Sequence, residues 1–251
     1  MNDSGQIDKE ATDRAKAEKT TQYQTIHFEN RSVYQGELKD NQIRNGYGTQ
    51  TWPDGSRYVG QWLNDKAHGF GEIKHTDGDI YRGDWEDDKA NGEGTYIHAN
   101  GTIYIGRWQD DKQHGYGVEE WPDGAKYEGE YMEGFKHGKG HLIFPDSSSY
   151  EGTFHMNDIQ GYGIYKWSDG REYKGNWVQN KMHGKGKMTW PDQRSYEGEY
   201  FEDKKHGQGI FCWGDGRKYT GQWVNGKQHG DGCYLNAENV EFKGRWKDGK
   251  R

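Results

Sequence analysis

The sequence is poor in most of what builds a globular core. Its 251 residues include 2 cysteines and 4 prolines, and hydrophobic residues make up only 29% of the chain. Aromatics alone account for 15%, so aliphatic side chains are scarce. Two cysteines cannot staple a chain of this length. Cys212 and Cys233 fall on strands expected to lie two apart, about 10 Å, too far for a disulfide. Free thiols suit a reducing compartment. No apolar run approaches the length of a membrane span, and the polar start MNDSGQIDKE has no signal-peptide pattern. The formal charge of -7 lacks the basic excess that nucleic acid rewards and weakens attraction to an anionic membrane. These features point to the cytoplasm.

What is abundant is glycine, with 39 residues, together with 18 tyrosines and 11 tryptophans, all on a strict period. An aromatic recurs at Tyr34, Tyr58, Tyr81, Tyr104, Tyr127, Tyr150, Tyr173, Tyr196, Tyr219 and Phe242, in one step of 24 residues and then steps of 23. Two residues later stands a glycine, as at Gly175, Gly221 and Gly244. Two further on come Leu38, Trp62, Trp85, Trp108, Tyr131, Phe154, Trp177, Tyr200, Trp223 and Trp246. A Gly-x-Gly pair follows in each complete copy, from Gly46/Gly48 to Gly230/Gly232. A fixed period of this length marks a repeat array. Spacing of two puts Tyr173, Gly175 and Trp177 on one face of a strand, and Gly184, Gly186, Met188 and Trp190 on one face of the next.

Each copy therefore reads as a β-hairpin. The fold class expected is all-β: an elongated single-layer antiparallel meander of about 19 strands with right-handed twist. Residues 25–251 form the array, and residues 1–24 a polar tail, disordered or a short helix. A loop of five or six residues should close each hairpin. Tight turns at pairs such as Asp54-Gly55 and Asp169-Gly170 should join one hairpin to the next. Ser147 and Gln193 replace that glycine, which predicts looser turns there. Pairing the hairpin symmetrically sets Tyr173 opposite Met188, Gly175 opposite Gly186 and Trp177 opposite Gly184, so the rings lie over a glycine floor. Gly175 and Gly230 should then be intolerant of valine. The other face is polar in the first strands, with Arg82, Asp84, Glu128, Glu130, Lys174, Asn176, Glu197 and Glu199.

The pattern Y-x-G-x-W…H-G-x-G…W-P-D-G, as in YKGNWVQNKMHGKGKMTWPD from Tyr173 to Asp192, resembles the MORN repeat. The resemblance covers residues 30 to 251. It implies a scaffold or spacer in a cytoskeletal assembly, such as the radial-spoke heads of the ciliary axoneme, with localisation in the cytoplasm, at the cytoskeleton and in the cilium. Other members of the family position membranes or precede a catalytic domain such as a lipid kinase or a SET methyltransferase.

The remaining motifs carry no chemistry at their spacing. Histidines at 68, 114, 137, 183, 206 and 229 recur one repeat apart, about 10 Å, whereas zinc needs nitrogens near 2 Å from one ion. Asn45, Asn91 and Gln160 fill the same slot, which suits a polar turn residue. Gly-x-Gly opens a strand rather than a helix, so it is not a phosphate loop. Loop carboxylates such as Asp110-Asp111 sit beside Lys112 as solvated charge. No catalytic, cofactor-binding or metal residue is expected, and no cofactor.

The partner site expected is the aromatic face, with Trp62, Trp85, Trp108, Tyr131, Trp177, Tyr200 and Trp223, open to a helix or an extended segment of another protein. Phe242, Gly244 and Trp246 should form a sheet edge, blunted by Lys247, Lys250 and Arg251, at which two copies could associate. The alternative function is a phosphoinositide or anionic-membrane adaptor. It rests on Lys181, Lys185 and Lys187 and on Lys204 and Lys205.

Overall fold

The structure is a computed structural model and describes residues 23–251. The expected tail, up to residue 22, lies outside the described residues. All regular structure among the described residues is β, and the chain divides into two compact units between Gly92 and Glu93. The first unit contains β1 (Gln24–His27), β2 (Val33–Lys39), β3 (Ile43–Thr51), β4 (Arg57–Leu63), β5 (Lys66–Lys74) and β6 (Ile80–Glu86). β7 (Lys89–Ile97) straddles the boundary in sequence. The second unit contains β8 (Ile103–Gln109), β9 (Lys112–Glu120), β10 (Lys126–Met132), β11 (Phe135–Ile143), β12 (Ser149–His155) and β13 (Asp158–Lys166). It continues with β14 (Glu172–Val178), β15 (Lys181–Thr189), β16 (Ser195–Phe201), β17 (Lys204–Cys212), β18 (Lys218–Val224), β19 (Lys227–Leu235) and β20 (Glu241–Trp246).

Within each unit consecutive strands pair antiparallel, an up-and-down meander. β1 is one strand more than the repeat predicts. Its Ile26 stands opposite Tyr34, and Gln24, counted as the last residue of the tail, opens this strand.

The glycine floor is present. Tyr173 faces Met188 and Gly175 faces Gly186, as the spacing predicts. A Cβ on Gly175 would stand 2.5 Å from both Gly186 Cα and Tyr173 Oη, so only glycine admits the ring there. Trp177 pairs with Met182 rather than Gly184, because the register shifts after Gly175. Gly184, at φ +63°, takes up the extra residue of a β-bulge and instead faces Tyr200 on β16. Gly230 corresponds to it: at φ +62° it lies beside the Gln222 side chain and not under a ring. Its need for glycine is conformational.

The two connections are interchanged relative to expectation. The hairpins close in two residues that are both left-handed, Gln179 at φ 47° and Asn180 at φ 64°, or Asn64 at 48° and Asp65 at 69°. These are the angles a tight hairpin wants, supplied here without glycine. The Trp-Pro-Asp-Gly segments form the longer link. In Trp52–Ser56 the Gly55 amide donates to Trp52 O at 3.0 Å, and the Asp54 carboxylate accepts from the Ser56 amide at 2.9 Å. Proline at the second position and an Asx bond to the backbone explain the choice. Ser147 (φ 66°) and Gln193 (φ 69°) adopt the same left-handed angle as glycine. Their amides bond to Phe144 O at 2.9 Å and Trp190 O at 3.1 Å, so these turns are not looser; the side chain tolerates the strain.

Several hairpin turns are also tied to the hairpin before them. Asn180 Oδ1 accepts the Ile159 amide at 2.7 Å while its own amide donates to Ile159 O at 3.0 Å. Asp65 does the same to Arg44, and Asp203 to Met182.

Candidate partner-binding face

The ladder face is built from three rows. In the first, the tyrosine hydroxyl folds back over the glycines and donates to the carbonyl three residues on: Tyr58 to Gln61 O at 2.9 Å, Tyr127 to Glu130 O at 2.9 Å, Tyr173 to Asn176 O at 3.0 Å. Large rings wedge edge-on between successive tyrosines. Trp62 sits 5.5 Å from Tyr34 and 5.0 Å from Tyr58, and Tyr200 sits 5.1 Å from Tyr173 and 5.2 Å from Tyr196. The indole nitrogens donate to glycine carbonyls across the strands, Trp85 to Gly71 O at 3.1 Å and Trp223 to Gly209 O at 3.2 Å. Edge-to-face pairs add about 1 kcal/mol each beyond the area they bury. Burial lifts the ladder phenols above their ordinary 10, to about 12 at Tyr34 and Tyr150, and upward at Tyr58, Tyr104 and Tyr196.

The expected site residues are therefore placed as follows. Trp62, Trp108, Tyr131, Trp177, Tyr200 and Trp223 lie in the ladder at 9% exposure or less, and Trp85 is half-buried. These rings are the core. The accessible surface of the face belongs to the rows beside them, which sequence reasoning did not single out.

One neighbouring row stands opposite the tyrosines: Gln50 and Ile73 in the first unit, and Glu119, Leu142, Tyr165, Met188, Phe211 and Tyr234 in the second. Beyond it in the second unit Trp121, Phe144, Trp167, Trp190 and Trp213 are half-buried, as is Trp52 at the equivalent place of the first. Tyr165 lies 4.5 Å from Trp167, and Phe211 4.7 Å from Trp213. Arginines of the linking turns lie over these rings: Arg171 at 4.9 Å from Trp167 and Arg217 at 5.3 Å from Trp213, each also paired to an aspartate of its own turn at 2.8 Å. The row on the other flank carries three cations, Arg44 opposite Leu38, Lys136 opposite the wedge ring of Tyr131 and Lys205 opposite that of Tyr200. In the second unit Trp121, Lys136, Leu142, Phe144, Ile159 and Tyr165 line an open cleft of about 630 Å³.

The opposite face is less polar than the first strands predict. The middle residue of Gly-x-Gly points there, and it leaves Tyr47, Phe70, Tyr116 and Tyr162 about half exposed, together with Ile105. The repeat histidines fill the bulge, not a loop. The Nδ1 atoms of His68, His114, His137 and His229 are buried without a hydrogen-bond partner. In the same slot Asn45 Oδ1 and Gln160 Oε1 accept an amide of the next hairpin turn at 3.4 Å and 3.1 Å. Among the described residues no cluster of three His, Cys, Asp or Glu could hold a metal ion, and no helix is long and apolar enough to cross a membrane.

β20 places Phe242, Gly244 and Trp246 against β19. Arg251 folds back over that strand, donating to Lys243 O at 3.0 Å and lying 5.9 Å from the Trp246 ring. Two of the five lysines of the alternative reading are paired with carboxylates. Lys187 pairs with Glu197 at 3.2 Å and Lys181 with Glu202 at 3.8 Å.

Comparison with known proteins agrees with this geometry. Residues 34–57, 58–80, 81–103, 104–126, 127–149, 150–170, 173–193, 196–216 and 219–237 each match the MORN repeat, and the chain belongs to the MORN-repeat family. Such repeats form non-enzymatic scaffolds that mediate protein or membrane interactions. No curated protein sequence matches the chain. Among solved structures it is similar to the TCP10 domain of Danio rerio CPAP bound to a STIL peptide, at 12% identity and TM-score 0.43 over 90% of this chain and 100% of that one. It is also similar to the TCP domain of Drosophila melanogaster SAS-4 bound to a proline-rich motif of Ana2, at 14% and 0.39 over 71% and 90%. Both scores are too low to carry an inference, so the repeat family alone identifies the chain.

Proposed function

We infer that the chain is a protein-interaction scaffold of a cytoskeletal assembly in the cytoplasm, and within that class a radial-spoke-like component of the ciliary axoneme. The observation that supports an interaction role is the row of half-buried rings from Trp121 to Trp213, flanked by cations and covered by no helix among the described residues. Accessible aromatic surface of this kind is enriched where proteins dock. The ladder rings, Trp62 through Trp223, contribute by holding the accessible rings in register. A helix or extended segment of another protein is the occupant that fits an open sheet face. The axonemal assignment draws on the family resemblance alone. Association of two copies through Phe242, Gly244 and Trp246 belongs to the same proposal, and sedimentation equilibrium measures it directly.

Co-sedimentation with isolated axonemes tests the reading. The full chain should pellet with axonemes, and the double variant Trp190→Ser/Trp213→Ser should stay in solution. Flotation with phosphoinositide liposomes and no axonemal pelleting would transfer the function to the membrane alternative.

A further inference from the structure

Three cations occupy equivalent places on the ladder face, and two of them have acceptors. Arg44 bonds to Gln50 Oε1 at 3.1 Å and to Asp65 Oδ1 at 3.2 Å. Lys136 sits 4.7 Å from the Trp121 ring and bonds to Glu119 Oε2 at 3.0 Å. The same carboxylate accepts the Tyr131 hydroxyl at 2.9 Å. Tyr131 and Lys136 are direct cross-strand partners, so one carboxylate completes a Tyr–Lys pair.

Three repeats further on the same pair recurs as Tyr200 opposite Lys205, but the carboxylate does not. Met188 stands where Glu119 stands, opposite the ladder tyrosine of the next strand in each case. The other positions that serve Arg44 are also lost. Phe211 replaces Gln50, and Gly226 replaces Asp65 in the hairpin turn. The Lys205 ammonium is left among aromatic rings, at 4.3 Å from Phe211, 5.0 Å from Trp223, 5.2 Å from Tyr196 and 5.3 Å from Trp190. No carboxylate bonds to it among the described residues, and burial, with Arg194 adding to it, pushes its pKa down to about 8. Beside it the Tyr200 hydroxyl is buried with no hydrogen-bond partner. Two polar groups that share one acceptor at Glu119 are thus both left without one here. An unsatisfied buried hydroxyl and an uncompensated ammonium are each unfavourable.

We propose that Tyr200 and Lys205 receive a carboxylate from outside the chain, a glutamate or aspartate side chain on a partner protein's segment lying along the ladder face. The partner's acidic residue would be flanked by apolar ones, because the walls of the site are Phe211, Trp190 and Trp223. A single ammonium suits one carboxylate and not a multiply charged headgroup, since the nearest arginine, Arg194, already pairs with Asp192 at 2.7 Å. Met188 takes the place of the Glu119 side chain and is buried, so it is the side chain that must move. Its three flexible torsions make methionine suited to that. This inference rests on the interaction-scaffold reading and names the chemistry of one place on its face.

The test selects binders to the full chain from a random twelve-residue peptide library displayed on phage, then measures each selected peptide by fluorescence anisotropy. Peptides with an acidic residue between apolar ones should dominate. Lys205→Met should weaken them at least tenfold. Met188→Glu should do the same while raising the melting temperature, because it rebuilds the internal triad of Glu119. The mirror variant Glu119→Met should create a second site of the same preference. Selected peptides that bind Lys205→Met and Met188→Glu as tightly as the parent would overturn this inference and leave the scaffold reading standing. A fall in melting temperature on Met188→Glu would overturn the structural premise. A library yielding no binder to the parent chain would count against the scaffold reading itself.

Discussion

Tyr127 and Tyr196 occupy the same environment: each folds over a glycine pair and bonds to the carbonyl three residues ahead at 2.9 Å. The flanks of these two tyrosines differ. Beside Tyr127 lie Glu119 and Lys136 in an ion pair, and beside Tyr196 lie Met188 and an uncompensated Lys205. The spine repeats because every copy must satisfy the same geometry, a ring over a floor and a wedge between rings. The flank is free to vary because it touches the ladder from one side only. Constancy along the spine specifies the fold, and departures on the flank are where one repeat becomes chemically different from another.

The spine should fail first under alkali. A phenol whose folded pKa is raised stabilises the fold fully below its unfolded value of 10, and that contribution disappears as pH climbs through the folded value. Tyr34 and Tyr150, at about 12, place their part of the loss between pH 10 and 12, and the other raised ladder phenols such as Tyr127 carry it further upward. Urea midpoints measured from pH 8 upward should hold to about pH 10 and then drop steeply. Phenolate absorbance from the buried ladder tyrosines should appear with unfolding, not before it.

Next in size is a break in one copy of the spine. Gly175→Val must displace Tyr173 or part the strands, and overpacking of this kind costs about 3 kcal/mol. Tyr162→Ser, on the opposite face at 60% exposure, should stay within about 0.5 kcal/mol. Denaturant titration of the two variants separates spine from surface.

On the flank, Glu119→Met leaves Lys136 and Tyr131 in the condition of Lys205 and Tyr200. Breaking a largely buried pair that also accepts a hydroxyl should cost about 2 kcal/mol. Pairing the change with Lys136→Met should recover most of it, and calorimetric melting temperatures of the two variants read the difference.

The spine was legible because period two within a strand and period 23 between copies fix which residues share a face. The glycine floor followed directly, from Gly175 opposite Gly186. The bulge at Gly184 did not, because it depends on one residue turning left-handed, which spacing cannot reveal. The turns were misassigned for a related reason. Asp-Gly is the stronger signal for a two-residue hairpin, yet Gln179-Asn180 and Glu202-Asp203 adopt those angles unaided. That the tryptophan ladder holds the repeats together was legible, but how little of it stays open was not, since a ring such as Trp62 is covered by a tyrosine of a neighbouring hairpin that only the true register brings close. The Glu119–Lys136 pair spans 17 residues and follows no local rule. It becomes visible only once the copies are laid over one another.

The smallest test concerns the linking turns, where spine geometry is imposed on an unsuitable residue. Gln193 holds φ 69° and the turn bond to Trp190 O, just as Gly170 at φ 86° bonds to Trp167 O at 3.0 Å. A non-glycine residue in this region carries roughly 1–2 kcal/mol of steric strain, while glycine there frees the unfolded chain by about 0.4–1 kcal/mol. The two oppose, and the strain is the larger. Gln193→Gly should therefore stabilise by about 0.5 kcal/mol, and Gly170→Gln should destabilise by at least as much, since a Cβ there would stand 3.0 Å from Pro191 Cγ. Equal melting temperatures for the two reciprocal variants would mean that the turn relaxes around either residue and that its geometry is not imposed by the strands it joins.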